Sequence, residues 1–504
     1  MGRTKTSPSK VLLLASGVLI GWGATQLPGL SSLPWDARGA AGVAILTVWC
    51  WISGALPLPV ASLLPALCLP ALGVVSAGEV ATWYFHDVLL LLLGGFVLAL
   101  ALQKQDLHKR FAFWILRVLG SRPRRLVLGF MLVAAALSMF LSNTATALLL
   151  LPVALAILDR MEKEEQASLQ VPLLLGLAYS CSIGGTATPV GTAPNAVLLG
   201  QMEAYFPDAP EISFGQWFLG ALPFVVVFVL LVWFVLTRFF GSVSASPSPS
   251  LSGMLEEITQ LPRRSSNQNR VLFVFVGIVF LWLTRRQLDI GLFVIPGWEN
   301  LFPTSIAGSL TDATVALLGM VVLFVLPREG GGAMLDWEDC RDLPWGVLLL
   351  MGGGFAIANS FEETGLSRFV GEALSNPLQV LSPVAMIVLT VLGVTFLTEM
   401  TSNTATVNVL IPLLFSSSVA AGLHPLLLAL PATLAASCAF MLPAATPPNA
   451  ILFSSGRLKM TQMAKVGFVL NLLSCLIVTL FVLFWTAPRW GLDFSLFPVW
   501  ATLP

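Results

Sequence analysis

Charge is scarce in this sequence. Only 10% of its 504 residues are Asp, Glu, Lys or Arg, against about 25% in an ordinary soluble domain. The 26 basic and 26 acidic side chains cancel, so the chain has no overall polyelectrolyte attraction for nucleic acid. Histidine is rarer still: His86, His108 and His424 are the only three, and none is spaced as part of a ligand cluster. The six cysteines form no Cys-x-x-Cys pair, and all but Cys340 lie in apolar runs, where cysteine acts as a small hydrophobe. Neither a disulfide framework nor a metal site of that kind is expected. There is no Gly-x-Ser-x-Gly and no His-Glu-x-x-His. An intramembrane hydrolase or acyltransferase, the remote alternative, would need such a nucleophile–base pair or metal cluster. N-glycosylation sequons are also missing, and with the compact loops this points to a bacterial inner membrane.

What fills the chain instead is apolar sequence. It is 56% hydrophobic with a mean hydropathy of +0.87, and its apolar runs approach the roughly 20 residues needed to cross a bilayer core. The fold class expected is an all-α polytopic membrane protein. Crossings are placed at 11–29, 40–56, 58–75, 87–103, 171–203, 214–238, 270–287, 311–327, 344–360, 425–455 and 464–487. Two further apolar segments, 125–159 and 381–421, are too long for one span and carry a polar cluster in the middle. Both read as re-entrant hairpins, giving about 11 transmembrane helices plus two hairpins.

Placing the N-terminus in the cytoplasm leaves five of the 26 Lys and Arg outside: Arg38, Arg285, Arg286, Arg368 and Arg489. That satisfies the positive-inside rule, and the reverse orientation violates it. Arg3, Lys5 and Lys10 precede an uncleaved first helix, and the Ser- and Pro-rich stretch 240–269 reads as a cytoplasmic linker between two halves.

The halves repeat one another. Leu141-Ser-Asn-Thr-Ala-Thr-Ala-Leu-Leu-Leu-Leu-Pro152 matches Thr401-Ser-Asn-Thr-Ala-Thr-Val-Asn-Val-Leu-Ile-Pro412. Upstream, Gly94-Gly95-Phe96 matches Gly353-Gly354-Phe355; downstream, Pro189-Val-Gly-Thr-Ala-Pro-Asn matches Pro443-Ala-Ala-Thr-Pro-Pro-Asn. The offsets are 260, 259 and 254 residues, so order and register are both kept. An odd number of crossings separates equivalent helices, which makes these inverted-topology repeats. Interrupted helices in matching positions of such halves point to a transporter's binding site. A pair of re-entrant segments entering from opposite sides suits a carrier with a closed central site better than a channel.

Ser142-Asn143-Thr144 and Ser402-Asn403-Thr404 each place hydroxyl and amide groups at membrane depth, where an unpaired polar group costs several kcal/mol. Each triplet precedes a fresh apolar helix, whose free N–H groups and dipole favour an anion. Two of them, from inverted halves, would hold a ligand with two negative ends. Thr188–Asn195 and Ala444–Asn449 are the second interrupted elements. Proline there frees backbone carbonyls, and carbonyls, hydroxyls and the Asn amides are the hard oxygen ligands that an alkali cation takes. No Lys or Arg falls mid-segment at the site, so a divalent anion must be balanced by dipoles and by co-bound cations. Glu399 is the one acidic residue close by. It is read as orienting neighbouring donors, with proton transfer as the alternative.

The paired Ser-Asn-Thr hairpins, with Gly191-Thr-Ala-Pro-Asn195 and Ala445-Thr-Pro-Pro-Asn449 after them, resemble the divalent anion/sodium symporter family over about residues 40–487. Members of that family carry succinate, malate, fumarate, citrate or sulfate. The resemblance implies a homodimer whose scaffold holds the interface while a transport domain slides as an elevator. Scaffold helices would occupy 1–86 and 213–343, transport elements 87–212 and 344–463, and the last helix and tail 464–504. It also implies substrate contacts from Ser142, Asn143, Thr144, Ser402, Asn403 and Thr404, with Thr192, Thr446 and Pro447 nearby. One sodium site would use Ser138, Ser142, Asn143 and Gly191, and a second Thr398, Thr401, Asn403 and Ala445, several through backbone carbonyls. Two positions depart from the family pattern: Ala193, where a first proline is common, and Thr401, where a smaller residue is. The function implied is sodium-coupled symport of C4-dicarboxylates. Citrate or sulfate carriage and sodium-independent dicarboxylate exchange are the alternatives.

Overall fold

The computed structural model describes residues 8–27, 29–119, 122–240, 243–244, 263–289, 293–378, 381–494 and 496–501. Most of the linker expected at 240–269 lies outside the described residues, as do Arg3 and Lys5. What is described is almost wholly helical; its one sheet is a two-stranded antiparallel ribbon, Leu288–Asp289 with Val294–Ile295.

The chain opens with α1 (Pro8–Ala24), α2 (Trp35–Ser53), α3 (Leu58–Ala61), α4 (Leu64–Ala71) and α5 (Ala77–Trp83). The span expected at 58–75 is thus two short helices. Pro59 and Pro65 each sit in the first turn of one of them, the place where a missing N–H costs nothing. Then come α6 (Asp87–Lys104), α7 (Leu107–Leu119), α8 (Pro123–Ser138), α9 (Asn143–Asp159), α10 (Lys163–Gly185), α11 (Ala193–Tyr205) and α12 (Phe214–Arg238). Between the halves lie α13 (Ser266–Thr284), α14 (Thr304–Ala307) and α15 (Asp312–Val325). The second half is α16 (Trp345–Glu363), α17 (Leu366–Leu378), α18 (Pro383–Thr398), α19 (Asn403–Ala420), α20 (Leu426–Ala436), α21 (Pro447–Ser454) and α22 (Met460–Phe481).

Six of these are long and apolar enough to cross a membrane: α6, α10, α12, α13, α19 and the run Met460–Arg489 that begins with α22. A helix satisfies its own backbone groups, which hydrocarbon requires. The protein is a multi-pass integral membrane protein.

The elements from α6 to α12 recur in the same order from α16 to α22. The basic stretch after Lys104 contains the amphipathic α7, and its counterpart α17 follows α16 in the same way. In each half the first hairpin arm packs on the same two partners, α8 on α10 and α12, and α18 on α20 and α22. The halves also interleave reciprocally, α11 against α19 and α21 against α9. That crossing brings both hairpins and both interrupted helices into one body.

At the C-terminal end of α13, Arg285 is only 1% exposed. Its Nε donates to Asp312 at 2.6 Å and its Nη1 to Glu299 at 3.2 Å and to the Leu310 carbonyl at 2.9 Å, while its Nη2 reaches Glu211. Asp312 also accepts the Phe214 N–H at 2.8 Å, fastening the start of α12. Removing one partner from a buried ionic cluster costs about 3–5 kcal/mol. Arg285→Met is therefore expected to lower the melting temperature and yield sharply. Arg286→Met, at a side chain 38% exposed, should cost less than about 1 kcal/mol. Thermal unfolding of the two purified variants checks the contrast.

Candidate anion and cation sites

Both hairpins turn at their polar triplets. α8 ends at Ser138 and α9 begins at Asn143, with Ser142 as N-cap accepting the Ala145 N–H at 3.2 Å. α18 ends at Thr398 and α19 begins at Asn403, with Ser402 as an N-cap that makes no capping bond. Beside it the Thr401 hydroxyl turns back to the Leu397 carbonyl at 2.9 Å and to the Thr406 hydroxyl at 2.6 Å. Each turn is braced by the same contact. Ser138 Oγ donates to Asn143 Oδ1 at 2.5 Å, and Thr398 Oγ1 to Asn403 Oδ1 at 2.6 Å. With Oδ1 committed, each carboxamide has its Nδ2 hydrogens left for a ligand, and no acceptor takes them among the described residues.

Exposure divides the expected ligands. Ser142, Asn143, Thr144, Thr192, Ser402, Asn403 and Thr404 are half-buried and Pro447 is exposed. Ser138, Gly191, Thr398 and Ala445 are buried behind them. Thr446 departs from this division: it is 3% exposed, and its hydroxyl caps α21 by accepting the Asn449 N–H at 3.3 Å. Thr192 caps α11 without a side-chain bond.

The interrupted helices share one hydrogen-bond pattern. Asn195 Nδ2 donates to the carbonyls of Gly185 and Thr188 at 3.2 and 2.8 Å. Asn449 Nδ2 donates to Ala439 and Leu442, both at 3.1 Å, and every one of these positions is shifted by 254 residues. Trp217 Nε1 donates to the Thr186 carbonyl at 3.0 Å, and at the equivalent place Asn471 Oδ1 accepts the Phe440 N–H at 3.3 Å. The Pro-Asn asparagines hold the unwound segments in shape through their N–H groups, while their Oδ1 atoms, expected among the cation ligands, are buried with no hydrogen-bond partner among the described residues.

In the first half these segments form a ring of carbonyl oxygens. A methyl group placed on Gly191 would lie 2.4 Å from the Gly185 carbonyl oxygen and 2.9 Å from those of Ser138 and Met139. One placed on Gly185 would lie 2.7 Å from Asn143 Oδ1. Four or more neutral oxygens around one small space match the ligand preference of an alkali cation. Gly185 and Met139 are additions that the motifs did not single out, because a backbone carbonyl leaves no trace in residue identity. In the second half Thr398 Oγ1 also donates to the Ala436 carbonyl at 3.2 Å, and Ala445 replaces Gly191.

Glu399 orients donors. Oε1 accepts from Phe440 N at 2.7 Å, Met441 N at 2.8 Å and Asn471 Nδ2 at 2.8 Å, and Oε2 from Leu442 N at 2.9 Å. It holds the second unwound segment, a role that no carboxylate duplicates among the described residues of the first half, where Met139 occupies the matching position. Glu399→Gln turns an N–H toward backbone N–H groups and strands at least one of them, at about 1–3 kcal/mol each. The expected result is a lower melting temperature together with weaker sodium-dependent stabilisation, read by thermal unfolding across a sodium titration.

Asn408 was not anticipated. Its Nδ2 donates to the Leu350 carbonyl at 3.1 Å, and its own carbonyl accepts from Gln201 Nε2 at 3.3 Å, which ties α19 to α16 and α11. Gly354 has no side chain because the Asn408 amide fills that space. The signal lay in the aligned repeat, where Leu148 stands opposite Asn408. His424, in the turn between α19 and α20, packs edge-on against Phe494 and Trp500. Burial pushes its imidazole down to about 4, so it stays neutral at physiological pH.

The profile of the sodium:sulfate symporter transmembrane region matches residues 9–490. The chain belongs to that symporter family. Among family relatives, the sodium-dependent dicarboxylate transporter SdcS of Staphylococcus saprophyticus is 38% identical over 466 residues, covering 90% of this chain and 87% of its own. SdcS of Staphylococcus aureus strain NCTC 8325 is 36% identical over 475 residues, covering 92% and 88%. Two solved proteins share the symporter's fold at 14% identity. MtrF of Neisseria gonorrhoeae, from a class of antimetabolite efflux pumps, has a TM-score of 0.59 over 92% of this chain and 96% of its own. The YdaH transporter of Alcanivorax borkumensis has a TM-score of 0.55 over 79% and 85%.

Proposed function

We propose that this family member couples sodium to the symport of C4-dicarboxylates such as succinate, malate and fumarate. The observation that carries the reading is the duplicated tip, Ser138–Asn143 and Thr398–Asn403. In each, Oδ1 accepts from a buried hydroxyl and the Nδ2 hydrogens have no acceptor among the described residues. One asparagine then serves a cation with its oxygen and a carboxylate with its nitrogen. Loading the cation fixes the carboxamide and adds positive charge behind the helix start that receives the anion. Two such tips suit the two ends of a dicarboxylate, and the similarity to SdcS transporters supports that substrate class.

Ser142, Asn143 and Thr144 hold one carboxylate, Ser402, Asn403 and Thr404 the other, with Thr192, Thr446 and Pro447 bordering the space. The first sodium takes Ser138, Ser142, Asn143 and Gly191, joined by the Gly185 carbonyl. The second takes Thr398, Thr401, Asn403 and Ala445. The chain crosses the membrane eleven times with two re-entrant hairpins in inverted repeats, its N-terminus in the cytoplasm of a bacterium. It works as a homodimer, and the transport elements slide as an elevator against the scaffold.

Thermal unfolding of the purified protein tests the ligand assignment. Succinate is expected to raise the melting temperature in sodium chloride and not in choline chloride, because only a ligand that binds the folded state stabilises it. A shift with sulfate and none with succinate would replace the dicarboxylate by an oxyanion.

A further inference from the structure

Of the six long apolar helices, α13 is the least enclosed. Only 22% of its apolar stretch is buried, against half or more in the other five. Phe273, Val276 and Phe280 on α13, and Leu318, Val321 and Val325 on α15, are all more than half exposed. Between these two helices runs a groove of about 510 Å³. Its character changes along its length. Ser266, Asn269, Arg270 and Leu326 line one end, and Phe273, Val274 and Val322 the other. One helical turn, about 5.4 Å, separates the polar end from the apolar one.

The polar end is also the basic end. Exposed Arg263 and Arg264 lead into α13, and Arg328 follows α15. One Arg270 nitrogen donates to the Pro327 carbonyl, which steers the guanidinium into the groove mouth. No carboxylate pairs with Arg270 among the described residues. A cation with hydroxyl and amide donors, set one turn above an apolar channel, has the polarity profile of a phospholipid at the membrane interface. The uncompensated positive charge selects an anionic headgroup.

We propose that this groove seats an anionic glycerophospholipid. Its phosphate meets Arg270, Asn269 and Ser266, and an acyl chain passes Leu326 and lies along Phe273, Val274 and Val322. The proposal rests on the membrane orientation given above, which puts this end of α13 at the cytoplasmic leaflet. It is independent of the transported substrate. The scaffold helix α13 would then carry a lipid as a fixed part of its surface.

Native mass spectrometry of the full-length protein in detergent, with phosphatidylglycerol or phosphatidylethanolamine added, tests it. Wild type is expected to retain phosphatidylglycerol at least fivefold more than phosphatidylethanolamine. Arg270→Gln should erase that preference, and Val322→Trp, which fills the apolar end, should reduce retention of both lipids. The succinate-induced melting shift should persist in both variants and so report their folding. Equal retention of the two lipids by wild type, or an unchanged preference in Arg270→Gln, would overturn the proposal. So would disulfide crosslinking of Asn269→Cys between two copies, which would make this face a protein interface. Loss of the succinate shift in wild type would instead sink the transport reading and leave the lipid result standing.

Discussion

Asn143→Ala and Asn403→Ala are each expected to lower succinate uptake by a factor of at least about 100, with the yield of folded protein close to wild type. Each substitution deletes both ends of the carboxamide. The brace to Ser138 or Thr398 disappears, and so do the Nδ2–H donors, which no described residue accepts. Hydrogen bonds to charged groups contribute about 1.5–3 kcal/mol each, and every 1.4 kcal/mol is about tenfold. Losing a carboxylate donor and a cation ligand together therefore accounts for the hundredfold. The asparagines are half-buried at helix starts, so their truncation leaves little void. Asn195→Ala should behave differently. Its side chain is fully buried and ties three carbonyls around the unwound segment, so the loss should appear as reduced stability as well as reduced uptake. Uptake assays paired with thermal unfolding separate the two patterns. Full uptake by Asn143→Ala or Asn403→Ala would remove the tips from the substrate site.

Gly191→Ala is expected to remove the first cation site and so weaken sodium-dependent stabilisation clearly, with the second site left in place. The added methyl would fall among the carbonyl oxygens of Gly185, Ser138 and Met139, at 2.4 to 2.9 Å. Those atoms are backbone and cannot step aside as a flexible side chain would. The backbone angle at Gly191 is outside the left-handed region, so the substitution blocks a space rather than imposing a forbidden conformation. Ala445 already carries that methyl in the second half, and Ala445→Gly should leave sodium dependence nearly intact. The readout is the change in melting temperature between choline and sodium without substrate. Undiminished sodium stabilisation in Gly191→Ala would place the cation elsewhere.

Much of this arrangement was legible in the sequence because duplication writes the same polar landmarks twice. The offsets of 254 and 260 residues reappear as matched hydrogen bonds: Asn195 with Asn449, Ser138–Asn143 with Thr398–Asn403, Trp217 with Asn471. The donor-orienting role of Glu399 followed from its position just before the second triplet. Three things were hidden for physical reasons. The role of Asn195 and Asn449 depends on which end of the amide faces the backbone, and composition does not encode that. Helices α7 and α17 alternate polar and apolar faces, so they fell below any hydropathy threshold. Arg285 reads in sequence as one more exposed positive charge, and only packing shows three carboxylates around it.

Labelled succinate uptake into proteoliposomes, with and without an inward sodium gradient and with malate, citrate and sulfate as competitors, tests the central claim most directly. The account predicts concentrative uptake that requires the gradient and is competed by malate. Uptake that needs internal dicarboxylate and ignores sodium would contradict it, making the protein an exchanger and leaving the carbonyl ring at Gly191 without a coupling ion.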